Sequence, residues 1–142
     1  MKILIAVDGS NFALHAVTYA ANLVAQLQPG GHSVTLLSVH DDIGLGHAKS
    51  FVGNEAVADY LREISDKELG PARKLLDAAG IQYDTVQRTG HVAKEIVDFA
   101  HVGKFDLVVM GAKGRGAIAD LLIGSVAQRV LAACQQPVLL VK

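Results

Sequence analysis

Short apolar runs alternate along this chain with longer segments of helical spacing. The runs are Ile3 to Val7, Val34 to Val39, Ile81 to Val86, Leu107 to Met110 and Val138 to Val141. Between them, apolar residues return every three or four positions, which is the repeat of an amphipathic helix. Short runs that are apolar nearly throughout are typical of strands covered on both faces. The pattern therefore predicts an α/β fold, with a parallel sheet between layers of helices.

Four segments carry the helical repeat. The first follows Ser10, whose hydroxyl can accept a hydrogen bond from a helix amide, and it ends at Pro29-Gly30-Gly31. The second extends from Val57 to Gly80 but contains Gly70-Pro71, so we expect a kink or two separate helices there. The remaining two are predicted from about His91 to Ala100 and from about Ser125 to Ala133.

One apolar run and one connection depart from this regular pattern. Ile81 to Val86 alternates between apolar and polar residues, which predicts a strand with a wetter side near a sheet edge. The connection from His40 to Asn54 has mixed polarity and several glycines, which favours a mobile loop. In parallel sheets the ligand crevice lies outside the carboxyl ends of the strands. The segments after Val7, Val39 and Met110 are therefore the places to look for a site.

Length, charge and cysteine content exclude several classes of protein. With 142 residues, we expect one domain over residues 1–142. Lys and Arg number 13 and Asp and Glu number 14, so no basic field attracts nucleic acid or anionic lipid. No apolar run has the length of a secretory signal or approaches the ~20 residues of a membrane span. The lone cysteine, Cys134, cannot form a disulfide within the chain, and we expect it in the core. The lack of disulfides and of a secretory signal predicts a cytoplasmic protein.

The segment after the fourth apolar run carries the candidate chemistry. It reads Gly111-Ala112-Lys113-Gly114-Arg115-Gly116, and Gly124-Ser125 then begins the last predicted helix. Glycines let backbone amides approach an anion, and a helix amino terminus adds partial positive charge. Lys113 and Arg115 can neutralise phosphate charge, and Ser125 can donate its hydroxyl or cap the helix. An ordinary turn followed by a helix cap has the same residues, so both interpretations stay open at this point.

The spacing of these glycines resembles a nucleotide-binding signature. Gly111-x-x-Gly114, nine intervening residues and Gly124-Ser125 match the pattern of ATP-binding universal stress proteins. The likeness also covers Ile5-Ala6-Val7-Asp8-Gly9-Ser10, Thr89-Gly90-His91, Asp106-Leu107-Val108-Val109-Met110-Gly111 and Gln136-Pro137-Val138-Leu139-Leu140-Val141, which is nearly the whole chain. It implies a five-stranded parallel sheet in the order 3-2-1-4-5 with helices on both faces, the three-layer sandwich of adenine nucleotide alpha hydrolase-like proteins.

The resemblance also implies which residues contact a nucleotide. The adenosine part would lie against Ala6, Val7, Asp8, Val39 and Met110, with Asp8 near the ribose. The phosphates would lie against Gly111, Gly114, Gly124, Ser125 and Val126, with Lys113 and Arg115 as cations. The expected ligand is ATP, or ADP or AMP, and Mg²⁺ is a candidate companion of the phosphates. Without the resemblance, Asp8 is better interpreted as a turn residue that supports the helix start.

Two features do not fit the pattern of this family. Gly116 adds a glycine inside the nine-residue gap. The connection from His40 to Asn54 cannot be aligned, so its contacts are unassigned. Within it, His40-Asp41-Asp42 with His47 is the densest cluster of metal-ligating residues. Nothing fixes the geometry that a metal requires, and a solvated loop is the favoured interpretation.

The resemblance indicates an ATP-binding protein of the stress response whose nucleotide occupancy is read by a protein partner or by a dimer. Two alternatives stay open. One is an enzyme that hydrolyses ATP slowly or transfers a nucleotide or phosphate, with Lys113 or Arg115 stabilising charge. The other is an interaction module of the same fold without nucleotide. No general base and no G-x-S-x-G nucleophile elbow is present in the sequence, which favours binding over catalysis.

The last apolar run, Val138 to Val141, indicates an interface. The resemblance implies that it forms an edge strand, and every residue in it is apolar. Exposed edges of this kind pair with other chains. Similar proteins pair this strand with its copy in a second subunit, so we expect a homodimer through Val138 to Val141.

Overall fold

Strands and helices alternate along the parts of the chain that the computed structural model describes, residues 1–41, 52–116 and 118–142. The strands are β1 (Lys2–Ala6), β2 (Ser33–His40), β3 (Tyr83–Thr89), β4 (Leu107–Gly111) and β5 (Val138–Val141). The helices are α1 (Asn11–Gln26), α2 (Asn54–Ala78), α3 (Val92–Val102) and α4 (Ser125–Ala133). The alternation predicted from the apolar pattern is therefore confirmed, and most of the connection after His40 lies outside the described residues.

The strands form one parallel sheet in the order β3-β2-β1-β4-β5. β1 is central, because Ile5 pairs with Leu36 of β2 on one side and with Val109 of β4 on the other. The chain builds outward from β1 to β3 and then crosses back to place β4 on the opposite side of β1. The strand order thus reverses between β1 and β4, and such a reversal is where open α/β sheets bind ligands.

Helices cover both faces of this sheet because successive side chains of each strand point to opposite faces. On one face, the fully buried Ile3 and Ile5 pack with residues of α1 and α2. On the other face, Leu4 and Val108 pack with residues of α3 and α4. The predicted fold class, strand order and helices on both faces are confirmed. Cys134 is half-buried at the rim of the second core.

α2 differs from the prediction because it continues through Pro71 as one helix. The alternative of two separate helices is wrong. Proline at this position removes the hydrogen bond to the carbonyl four residues earlier. Packing outweighs that loss, since Leu69 and Ala72 on either side of the proline are at most 2% exposed against the sheet and α1. Most helical stability in proteins comes from such packing rather than from local preference.

β3 begins two residues later than the apolar pattern predicts, at Tyr83 rather than Ile81. The reason is the end of α2, where Gly80 has a positive φ of 70° and the Ile81 amide donates to the Leu76 carbonyl. This is the hydrogen-bond pattern of a Schellman motif, and it uses Ile81 to close the helix. The predicted edge position of this strand is confirmed, as is the edge position of β5.

Candidate functional site

A cavity of about 330 Å³ lies at the carboxyl edge of the sheet, at the reversal between β1 and β4. Its walls come from the ends of β1, β2 and β4 and from the first turns of α3 and α4. The residues predicted from the sequence all line it: Ala6, Val7, Asp8, Val39, Met110, Gly111, Lys113, Gly114, Arg115, Gly124, Ser125 and Val126. Three separate stretches of sequence thus meet around one space, while contact with a nucleotide stays a prediction.

An apolar wall that the sequence analysis did not assign to the site completes this cavity. Its members are Ala13, Leu37, Val92, Ile96, Ile118, Leu121 and Ala127. Val92 and Ile96 stand one turn apart on α3, which was predicted from the sequence as a helix without a part in the site. The signal was present, since their apolar stripe begins at the first turn of α3, next to a predicted ligand edge. Binding sites combine apolar walls of this kind with a few polar groups.

Asp8 connects the two segments that face each other across the cavity. Its Oδ1 accepts a hydrogen bond from the Ser10 amide at 2.9 Å, and its Oδ2 accepts one from the Arg115 amide at 3.2 Å. Ser10 Oγ in turn accepts from the Ala13 amide at 3.2 Å, which caps α1. Asp8 therefore has the turn-supporting contact expected without any ligand, and it also contacts the glycine segment of β4.

Two glycines of the signature are required by packing within the protein itself. A Cβ on Gly114 would lie 2.7 Å from Asp8 Oδ2, and a Cβ on Gly111 would lie 2.7 Å from the Cβ of Phe12. Real side chains do not approach this closely. A larger residue at Gly111 meets the backbone of Phe12 and would displace the segment, whereas one at Gly114 would displace the Asp8 carboxylate or the segment. Gly116 has open space around it. The extra glycine of this sequence is thus not required sterically, whereas Gly111 and Gly114 are.

The start of α4 faces the cavity with Gly124, Ser125 and Val126. Gly124 is the N-cap and makes no side-chain capping bond, while Ser125 is the first helical residue and is exposed. The prediction that Ser125 caps the helix is therefore wrong, because the cap position falls one residue earlier. Its hydroxyl is not used as a cap. Amides in the first turn of a helix have no acceptor within the helix, which suits this end to an anion.

The two predicted cations lie in different surroundings. Lys113 Nζ lies 5.9 Å from the centre of the Phe12 ring. Arg115 Nη1 lies 3.0 Å from Glu68 Oε1, so its guanidinium forms an ion pair with α2. Both cations were predicted to neutralise phosphate. The carboxylate partner of Arg115 within the protein was not predicted.

Glu68 is a buried carboxylate beside the site that was not predicted from the sequence. Its side chain is only 5% exposed, and its second oxygen, Oε2, lies 3.3 Å from His40 Nε2 and accepts from Ser38 Oγ at 3.3 Å. Burial raises the pKa of the Glu68 carboxyl, while the charges of His40 and Arg115 oppose that shift. The sequence feature that could have indicated Glu68 is its helical spacing from Leu61 and Ala72, which places it on the buried face of α2.

The metal hypothesis gains no support from the part of the chain that the structure describes. Asp42 and His47 of the predicted cluster lie outside it. Across the described ranges, no group of three or more His, Cys, Asp or Glu side chains is arranged to hold a metal ion. His40 instead contacts Glu68. Nor does any described helix combine the length and the apolar character needed to cross a bilayer.

Comparison with known proteins agrees with this architecture. The sequence model of the universal stress protein family matches residues 1–142. Universal stress protein MJ0531 of Methanocaldococcus jannaschii is 33% identical over 141 residues, which cover 99% of this chain and 81% of that relative. The solved structure of MJ0577, from the same organism, superposes with a TM-score of 0.84 at 28% identity and covers 99% of this chain and 94% of that chain.

A further solved structure is that of a universal stress protein in complex with cAMP. It has a TM-score of 0.62 at 25% identity, with 100% of this chain and 97% of that chain covered. The family match extends over the full length given, and the fold and strand order agree with those of the solved relatives. This chain therefore belongs to the universal stress protein family.

Proposed function

We propose that this protein binds an adenine nucleotide, ATP in particular, in the cavity between β1 and β4, and acts as a nucleotide-dependent regulator in the stress response. The observation that carries the proposal is the convergence of Asp8, the Gly111–Gly116 segment and the start of α4 on one apolar cavity. Family membership supports the link to stress, and the relative solved with cAMP supports an adenine ligand.

The two sides of the cavity suit different parts of a nucleotide. Val39, Ile96 and Met110 offer apolar surface to a flat base. Backbone amides of the glycine segment and of the first turn of α4 suit the phosphates, and Lys113 adds a cation. An ionised carboxylate has about four acceptor positions, so Asp8 can accept ribose hydroxyls beside its two amide bonds.

Binding fits this site better than turnover. Among the described residues that line the cavity, Asp8 is the one carboxylate, and no histidine or cysteine is present. A single carboxylate that already joins the Ser10 and Arg115 amides does not form the acid and base pair that turnover would need. The same geometry offers Mg²⁺ little direct coordination, so the ion would be held chiefly by the phosphates and water.

Nucleotide occupancy would be read by a protein partner or by a second copy of this chain. β5 lies at the sheet edge, and its Val138–Val141 residues are half-buried and apolar. We propose a homodimer formed through this edge, since an apolar unpaired strand recruits another. Sedimentation at micromolar concentration measures it, and a species that stays monomeric contradicts it.

The decisive experiment is mass spectrometry of the ligand released from the purified, denatured protein, followed by titration with ATP and a turnover assay. Recovery or uptake of ATP without turnover supports the proposed binder. ADP or AMP together with measurable turnover supports the slow hydrolase or transferase instead. Protein that carries no nucleotide and does not take up ATP supports an interaction module of the same fold.

A further inference from the structure

Glu68 is a buried carboxylate surrounded by groups from several elements that end at the cavity. His40 and Ser38 reach it from β2, Arg115 from the segment after β4, and the Asp8 carboxylate contributes repulsion from the end of β1. From its own helix, the buried Ser65 bonds to Ser38 at 3.3 Å. One side chain of α2 thus contacts, directly or through charge, three of the strand ends that build the site.

The contact between Glu68 and Arg115 passes over Gly9, which leaves room for it. A Cβ on Gly9 would lie 3.0 Å from Glu68 Cγ and 3.1 Å from Arg115 Nη2. Gly9 also has a φ of 82°, in the left-handed region that favours glycine. The Arg115 amide meanwhile donates to Asp8 Oδ2 at 3.2 Å. Arg115 is therefore held at both its backbone and its side chain, by two different elements.

Glu68 is poorly explained as a stabilising residue. Burial is the largest influence on it and raises the pKa of its carboxyl, so ionising Glu68 is harder in the folded protein than in the unfolded chain. Its partner Arg115 is 63% exposed, and ion pairs with a solvated partner contribute little to stability. The Glu68 carboxylate instead provides a fixed acceptor for the Arg115 guanidinium. Because Arg115 belongs to the glycine segment, this contact also fixes the position of that segment.

We propose that Glu68 is a positioning residue of the nucleotide site, which holds Arg115 and thereby sets the conformation of the Gly111–Gly116 segment for the phosphates. This inference rests on the proposed function. It adds to the site a further element, α2, which lies outside the glycine signature and does not line the cavity. In this arrangement Arg115 holds the glycine segment in position through its contact with Glu68. Lys113 is then the cation for the phosphates.

The test uses Glu68→Gln, which removes the charge of the side chain and keeps its shape. Its control is Glu63→Gln, which makes the same change at an exposed glutamate of the same helix. Calorimetric titration with ATP at neutral pH should show about fivefold weaker binding for Glu68→Gln, which corresponds to about 1 kcal/mol. Glu63→Gln should bind as the wild type does. The melting temperature of Glu68→Gln should be no lower than that of the wild type, which distinguishes positioning from a general structural role.

Hydrogen exchange at the Arg115 amide, measured without nucleotide, tests the positioning independently of ATP. Glu68→Gln should accelerate it severalfold, and Glu63→Gln should not. If the wild type binds no adenine nucleotide, the proposed function fails while this measurement still decides the positioning. Unchanged exchange in Glu68→Gln overturns the inference. So does tighter ATP binding, which would mean that Glu68 withholds Arg115 from the phosphates, or parallel losses of affinity and melting temperature.

Discussion

The two segments that face each other across the cavity hold their shapes by different means. The turn from Asp8 to Ser10 is short and bonded within itself and to the start of α1. The segment from Gly111 to Gly124 is longer, and it depends on contacts with Asp8 and Glu68 elsewhere in the chain. It also exposes apolar side chains, with Leu122 80% exposed. The turn is thus defined by adjacent residues. The glycine segment combines a closing bond of its own, from the Gly124 amide to the Ala112 carbonyl at 2.7 Å, with contacts to distant elements.

This difference bears on function because a segment held by a few contacts with its neighbours can be repositioned at small cost. Regions with few buried apolar contacts open locally with low free energy. If the proposed function holds, we expect any conformational response to nucleotide in the segment from Gly111 to Gly124. The turn at Asp8 supplies the fixed side against which that change would occur.

The largest effect is expected where the two segments touch. Gly114→Val places a branched side chain where a Cβ alone would lie 2.7 Å from Asp8 Oδ2, so the Asp8 carboxylate and the segment cannot both keep their places. A displacement of about 1 Å in a binding constellation can cost about 100-fold, and we expect at least that loss of ATP affinity. Titration calorimetry measures it. Gly116→Ala is the matched control, because open space surrounds Gly116, and it should bind within about twofold of the wild type. Equal affinities for the two variants would contradict the site.

A smaller effect is expected from Asp8→Asn, which keeps the shape but turns one acceptor into a donor. One of the amides of Ser10 and Arg115 then faces an NH₂ group, and a ribose hydroxyl loses a charged acceptor. Hydrogen bonds to charged groups contribute about 1.5–3 kcal/mol, so ATP affinity should fall at least about tenfold. Asp120→Asn removes the same charge from the exposed part of the glycine segment and serves as control. If it weakens ATP binding as much, the effect is one of net charge rather than of the Asp8 contacts.

The features that follow from local pattern were predictable from the sequence, and those that depend on distant contacts were not. The apolar runs Ile3 to Val7 and Leu107 to Met110 were enough to recognise β1 and β4, and Ser10 was identified as the cap of α1. The unbroken helix at Pro71 was not predictable, because packing on α1 and the sheet overrides the local preference for a break. The start of β3 was misplaced because the end of α2 uses Ile81.

The same division applies to the candidate site. The glycine spacing was enough to find the segment from Gly111 to Ser125. Strand ends indicated where else to look, and the family resemblance added Asp8 and Val39. Glu68 was missed because its importance arises from Arg115, which is 47 positions away in the sequence. Only the fold brings the two together, and a glutamate on an apolar stripe was the one sign available beforehand.

A pair of serine substitutions separates the two segments more finely. Ser10→Ala removes the cap of α1, so the free energy of unfolding should fall by about 1 kcal/mol, while ATP affinity stays nearly constant. Ser125→Ala removes an exposed hydroxyl that does not cap α4. It should leave stability within about 0.3 kcal/mol and weaken ATP binding about threefold, by loss of one hydrogen bond. Urea unfolding and calorimetry measure the two quantities. If Ser10→Ala instead weakened ATP binding and Ser125→Ala lowered the free energy of unfolding, the comparison between the two segments would be wrong.

The smallest effect concerns pH and the contact that holds the glycine segment. Burial raises the pKa of Glu68 in the folded protein, so the folded state binds that proton more tightly than the unfolded chain does. The contribution of Glu68 to stability therefore falls as the pH rises from the usual range of a glutamate through its raised pKa. Glu68→Gln lacks this dependence. Its melting temperature relative to the wild type should rise with pH over that window, by a few degrees at most. A difference that instead shrinks as the pH rises would mean that Arg115 and His40 together outweigh burial. Glu68 would then stabilise the fold as well as position the segment.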